Sequence, residues 1–144
     1  LQIEDGGLEK ALEETAREFA ERGNFHVQLN CASLPFSLSA TEQVHLLQIA
    51  REALSNCARH AQASQAWVTL RQTHENIQLL VEDDGCGITA GFDARQHHGL
   101  TIMQERARSL GGQLLVAPRE GGGTRIELQF QPAFFSQPSN KEPA

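Results

Sequence analysis

Apolar residues recur at helical spacing early in the chain, at Leu8, Leu12, Ala16, Phe19 and Ala20, with charges between them. This pattern predicts an amphipathic helix over Leu8 to Arg22, and Gly23-Asn24 supplies its stop. Phe25, Val27 and Leu29 then alternate with polar residues, as in a short strand, and the stretch around Pro35 reads as a connector. Ser39-Ala40-Thr41-Glu42 has the form of a capping box and opens a long helix running to about His60. Two alternating runs follow, through Ala66, Val68 and Leu70 and through Ile77, Leu79 and Val81. The polar link Thr73-His74-Glu75-Asn76 makes them a hairpin. After Asp83-Asp84-Gly85-Cys86-Gly87 the pattern is weak as far as His98. Leu100, Met103, Ala107 and Leu110 then mark another helix, stopped by Gly111-Gly112. Leu114 and Val116, a turn at Glu120-Gly121-Gly122-Gly123, and Ile126, Leu128 and Phe130 form a second hairpin.

This order predicts an α+β fold: a two-layer α/β sandwich whose mixed, mostly antiparallel sheet is covered on one face by about three helices. Residues 1–131 read as one domain, and residues 132–144, with Pro138 and Pro143 among polar residues, as a disordered tail.

Composition narrows the function. At 144 residues, with 40% hydrophobic and 21% charged residues, the chain fits one globular domain. Its net charge of −6 repels a phosphate polyanion at long range and argues against direct nucleic-acid binding. No apolar stretch approaches a membrane span, and Leu1-Gln2-Ile3-Glu4-Asp5 lacks the basic and apolar regions of a signal peptide. Cys31, Cys57 and Cys86 are odd in number and far apart, which disfavours a disulfide framework or a zinc site and fits a reducing compartment. The opening residues read as the interior of a longer protein.

Four elements carry candidate chemistry. On the long helix Glu52, Asn56 and His60 follow one another at intervals of four, with Arg59 beside them. An amide oxygen suits Mg²⁺ and the cations suit phosphate, although a solvated helix face presents the same stripe. At the end of Leu79-Leu80-Val81-Glu82, the run Asp83-Asp84-Gly85-Cys86-Gly87 combines carboxylates with glycines that admit a ligand close to the backbone, or form a plain turn. His98-Gly99-Leu100 stands directly before the predicted helix, where unpaired amides can hold phosphate. Gly122-Gly123-Thr124 enters the last strand as a tight turn.

In combination, these elements resemble the ATP-binding catalytic domain of sensor histidine kinases, within the wider GHKL (Bergerat-fold) family that includes gyrase, Hsp90 chaperones and MutL. Glu52-Ala53-Leu54-Ser55-Asn56-Cys57-Ala58-Arg59-His60-Ala61 resembles the N box, Asp83 to Gly87 the G1 box, and Gly99-Leu100 with Met103, Glu105, Arg106 and Ala107 the G2 region. Gly122-Gly123-Thr124 matches the closing glycine-threonine motif. The motif-bearing core spans 41–131. The run from His45 to Ala63, with His98 to Met103, is similar to the nitrate/nitrite sensor branch of the NarX/NarQ type.

The resemblance implies ATP and Mg²⁺ as cofactors. Asp83 would read adenine N6, with Gly85, Gly87 and Thr124 around it. Asn56 would ligate Mg²⁺ beside a catalytic Glu52, and Arg59, His60, His98 and the amides of Gly99 and Leu100 would meet phosphates. Asp84 to His98 would form a short lid. The γ-phosphoryl would pass to a histidine on a dimerisation domain of the same protein, and then to a response regulator. The full-length parent would be a membrane-anchored homodimer with this domain in the cytoplasm. No phosphoacceptor histidine stands on the first helix, and His26 falls in a strand-like context. Three further readings remain open at this point: an anti-sigma-type serine kinase, hydrolysis with Glu52 as base, and a non-catalytic nucleotide-sensing module.

Overall fold

Leu12, Ala16 and Phe19 share one stripe of helix α1 (Gly7–Gly23), and all three are buried, as the apolar spacing predicts. The computed structural model describes residues 7–60, 62–85 and 94–136, with the backbone alone for His60, residues 94–97 and Ser136. Asn24, at φ 55°, is the left-handed residue that ends α1, and the N–H of Phe25 closes the turn on the carbonyl of Ala20 at 3.1 Å. Strand β1 (His26–Cys31) therefore starts one residue after Phe25.

Helix α2 (Ala40–His60) begins at the predicted capping box. The Ser39 hydroxyl accepts the N–H of Glu42 at 3.1 Å, and the Glu42 carboxylate accepts the N–H of Ser39 at 2.8 Å. Strands β2 (Gln65–Thr73) and β3 (Asn76–Asp83) form the first hairpin, turned through His74 at φ 59°. Helix α3 (Ala94–Ser109) leads to strands β4 (Gln113–Pro118) and β5 (Thr124–Phe130), and α4 (Ala133–Ser136) closes the described chain.

The sheet order is β1-β2-β3-β5-β4. β1 runs parallel to β2, because α2 carries the chain back across the sheet between them, and the other pairs are antiparallel. Alternation sends Ala66, Val68 and Leu70, then Ile77, Leu79 and Val81, then Ile126, Leu128 and Phe130 to one face. Leu46, Ile49, Ala53, Leu54 and Cys57 of α2, Met103 and Ala107 of α3, and Leu12 and Phe19 of α1 join them in a single core. The predicted two-layer α+β sandwich is the observed fold.

Two boundaries differ from expectation. α3 starts at Ala94, well before the apolar spacing that begins at Leu100. The chain also stays ordered beyond residue 131. Pro132 is fully buried, the N–H of Ala133 donates to Glu42 at 2.7 Å, and the rings of Phe134 and Phe135 pack on Phe36 with centroids 4.8 and 5.2 Å away. Residues 137–144 lie outside the described residues.

Candidate functional site

The alternation that buries Ile77, Leu79 and Val81 continues to Asp83, the last residue of β3, which is 4% exposed. A carboxylate is thus delivered to the core face of the sheet at the strand's end, where it must find hydrogen bonds. The N–H of Gly85 donates to Asp83 Oδ1 at 2.8 Å, and the thiol of Cys57 on α2 donates to Oδ2 at 3.3 Å. Across the sheet Asp83 is in register with Ala66 on one side and Thr124 on the other. Gly123, just before Thr124, lies against the main chain of Asp83. A Cβ built there would stand 1.8 Å from the Asp83 carbonyl oxygen, so the strand ends meet only because residue 123 has no side chain.

Helix α2 brings the second group. Because Cys57 touches Asp83, the neighbouring Asn56 sits where the helix meets the strand end. Asn56 Oδ1 is buried and has no hydrogen-bond partner among the described residues. Such an oxygen carries a desolvation cost unless something completes it. Arg59, three residues on, is exposed. The side chain of His60 lies outside the described residues, as do Ala61, Cys86 and Gly87.

Glu52, one turn before Asn56, faces α3. A Cβ on Gly99 would stand 2.6 Å from Glu52 Oε2, so this buried glycine admits the carboxylate against the helix backbone. The N-box stripe and the G2 glycine are therefore brought together. Gly99 and Leu100 occupy the second turn of α3 rather than its start, and amides at such positions bond back within the helix. The helix extends because residues 94–98 carry nothing that breaks it, although they carry no apolar stripe that would announce it. His98 is exposed on the same turn, and Leu100 packs partly buried against the core. Arg106 further along α3 meets His45 of α2 at 3.2 Å, a second tie between the two helices.

Asp84 turns away from the core and clamps the start of β2. It accepts the Ser64 hydroxyl at 2.8 Å, the Ser64 N–H at 2.9 Å and the Gln65 N–H at 3.0 Å. The Gln65 amide first, and the Ser64 hydroxyl after it, lower the Asp84 pKa below its ordinary value. A folded-state value below the unfolded one means that the carboxylate stabilises the fold above about pH 4. That contribution fades as pH falls through the folded-state value. Asp84→Ala is accordingly expected to lower the thermal midpoint at neutral pH by on the order of 3 °C, the shift about 1 kcal/mol produces in a chain of this size. In melts taken from pH 7 down to pH 3, the gap from the parent sequence should close only in the most acidic samples.

Cys57 was legible only as part of the apolar side of α2, and its bond to Asp83 depends on how that helix sits on the sheet. A cysteine directly after the N-box asparagine was the one available signal. Burial, the nearby Asp83 charge and the hydrogen bond to Asp83 all push the Cys57 thiol well above its ordinary pKa. Among the described residues no group of three or more His, Cys, Asp or Glu side chains could hold a metal ion. A cavity of about 370 Å³ lies between the start of α1, the end of β1 and the following connector, lined by residues such as Cys31, Phe36 and Gln43. None of the predicted site residues that are described borders it. No helix among the described residues is long and apolar enough to cross a membrane.

The family profile described as histidine kinase-, DNA gyrase B-, and HSP90-like ATPase matches residues 41–133. The chain is 41% identical over 132 residues to the nitrate/nitrite sensor protein NarX of Escherichia coli K12, covering 92% of this chain and 22% of that protein. It is 36% identical over 134 residues to the nitrate/nitrite sensor protein NarQ of the same strain, covering 92% and 24%. The chain thus spans less than a quarter of the length of these relatives. Among solved structures, the histidine kinase domain of a blue-light activated histidine kinase from Erythrobacter litoralis superposes with a TM-score of 0.73 at 19% identity, covering 94% of this chain and 66% of that one. The ATP-binding domain of PrrB from Mycobacterium tuberculosis gives 0.64 at 17% identity, covering 85% and 92%.

Proposed function

Because the chain belongs to the histidine kinase-, DNA gyrase B- and HSP90-like ATPase family, we propose that it binds Mg-ATP and donates the γ-phosphoryl group to a histidine on a dimerisation domain of the same protein. The histidine would pass it to a response regulator. The observation that carries this reading is the contact between Cys57 on α2 and Asp83 on β3. It places the helix that bears Glu52 and Asn56 against the strand end that bears a buried carboxylate. The similarity to NarX and NarQ supports a parent of the nitrate/nitrite sensor branch: a membrane-anchored homodimer with this domain in the cytoplasm.

In this reading Asp83 accepts the exocyclic amine of adenine, and Thr124, its register partner, stands beside the base. Gly85 serves by tying Asp83 in place, and Gly99 by admitting Glu52. Arg59 reaches the phosphates from the exposed face of α2, and His60 and His98 are further candidates to meet them. The orphaned Asn56 Oδ1 is a hard, uncharged oxygen that fits Mg²⁺, an ion that takes few protein ligands and keeps waters. When bound, the ion neutralises phosphate charge. Glu52, one turn away, orients what lies between helix and nucleotide. The chain needs no nucleophile of its own, since phosphoryl transfer requires mainly positioning and charge neutralisation and the attacking imidazole belongs to the acceptor domain.

The test supplies the histidine-bearing dimerisation domain of the parent protein to this chain in trans with labelled Mg-ATP. Acid-labile, alkali-stable label on the acceptor is expected, and Asn56→Ala should erase the gain in ATP affinity that Mg²⁺ gives the parent sequence. Acid-stable label on a serine, or steady ATP hydrolysis with no labelled acceptor, would overturn the reading.

A further inference from the structure

Asp83 is held from two independent directions. The Gly85 N–H on Oδ1 is local, two residues along the same turn, and moves with that turn. The Cys57 thiol on Oδ2 comes from α2, twenty-six residues away in sequence and rooted in the core. The terminal torsion of an aspartate is broad and roughly two-fold, so one anchor leaves the carboxylate plane free to swing, whereas one anchor on each oxygen fixes it. Each carboxylate oxygen accepts more than one hydrogen bond, which leaves capacity for a ligand donor after both anchors are made.

We propose that Cys57 is a positioning residue for purine recognition: its thiol fixes the Asp83 carboxylate so that a lone pair is presented to the 6-amino group, and the site's preference for a 6-aminopurine depends on it. The inference rests on the reading of Asp83 as the base acceptor and goes beyond it by naming what orients that acceptor. The chemistry suits the task. A thiol 6% exposed and beside a carboxylate stays protonated at neutral pH, so it is a donor throughout the working range. As a weak donor, it fixes the acceptor without saturating it. The alternative is that Cys57 only fills space in the core, and the two roles differ in what they do to the base.

The experiment is calorimetric titration of the chain with Mg-ATP and with the triphosphate of purine riboside, which is ATP without the exocyclic amine. For Cys57→Ala, ATP affinity should fall about three- to ten-fold, the effect of one modest hydrogen bond, while affinity for the desamino analogue stays unchanged. Cys57→Ser, which restores a donor, should recover part of the loss. Equal weakening of both nucleotides would show a packing role and overturn the inference, as would unchanged ATP binding. Asp83→Ala in the same titrations separates the two layers. If it keeps the parent's preference for ATP over the analogue, the reading of Asp83 itself fails. If it abolishes that preference while Cys57→Ala retains it, only the positioning role fails. Should Cys57→Ala not fold, the S–H stretching band of Cys57 decides, read in a chain carrying Cys31→Ser and Cys86→Ser so that no other thiol contributes. A hydrogen-bonded band that returns to the free-thiol position when Asp83→Ala is added supports the contact, and a free-thiol band without that substitution overturns the inference.

Discussion

Asp83→Ala is expected to weaken ATP binding about ten- to a hundred-fold, the consequence of losing roughly 1.5 to 3 kcal/mol from a hydrogen bond to a charged group. The loss should be specific to the base, because Asp83 stands at the strand end with Thr124 while Asn56 and Arg59 lie along the helix that would meet the phosphates. Affinity for inorganic triphosphate should therefore be unaffected. The fold should survive, because the alanine removes a buried carboxylate together with the need to satisfy it, leaving behind only the Cys57 thiol and one turn amide. Titration calorimetry alongside a thermal melt tests both halves. An intact melt with unchanged ATP affinity would remove the assignment of Asp83.

How much of this was legible in the sequence depends on which forces decide each feature. The strands were readable because their burial is one-sided, so apolar and polar positions alternate, and the capping box marked the start of α2 to the residue. Asp83 and Asn56 were readable as chemistry because a carboxylate ending an apolar strand and an amide within a helical stripe both need a reason. The start of α3 was not readable. Ala94, Arg95, Gln96, His97 and His98 suit a helix by propensity but carry no apolar stripe, so the periodic signal begins only at Leu100. That one displacement puts Gly99 in a second turn rather than at a helix terminus, where its missing Cβ leaves room for Glu52. At the other end, the residues just past the domain boundary at 131 do pack: Phe134 and Phe135 find Phe36, and Ala133 finds the free side of the Glu42 cap, while Pro138 and Pro143 lie outside the described residues. Contacts between segments far apart in sequence, such as Cys57 with Asp83, leave no periodicity to detect.

Gly123→Ala tests the site through its backbone rather than its side chains, and it should be the most destabilising single methyl group in the described chain. Residue 123 sits at φ +106°, outside the conformations an L side chain readily adopts, and its Cβ would be driven into the carbonyl of Asp83 and to within 3.0 Å of the Asp84 Cα. Neither neighbour is a flexible side chain that can swing aside, so the ends of β3 and β5 must part. Backbone strain and lost pairing together are expected to cost at least about 3 kcal/mol, or a fall of about 10 °C in the thermal midpoint. Gly122→Ala is the matched control. Its φ of +113° is just as unfavourable, but nothing lies within 4 Å of the added carbon, so it should suffer the conformational penalty alone and melt well above Gly123→Ala. The comparison extends to binding. Parting the strands moves Asp83 from Cys57 and Thr124, so Gly123→Ala should lose ATP affinity at temperatures where it remains folded, while Gly122→Ala should retain it. Equal melting points for the two variants would mean that the strand ends are not wedged against each other, and that the carboxylate is held by its side-chain partners alone.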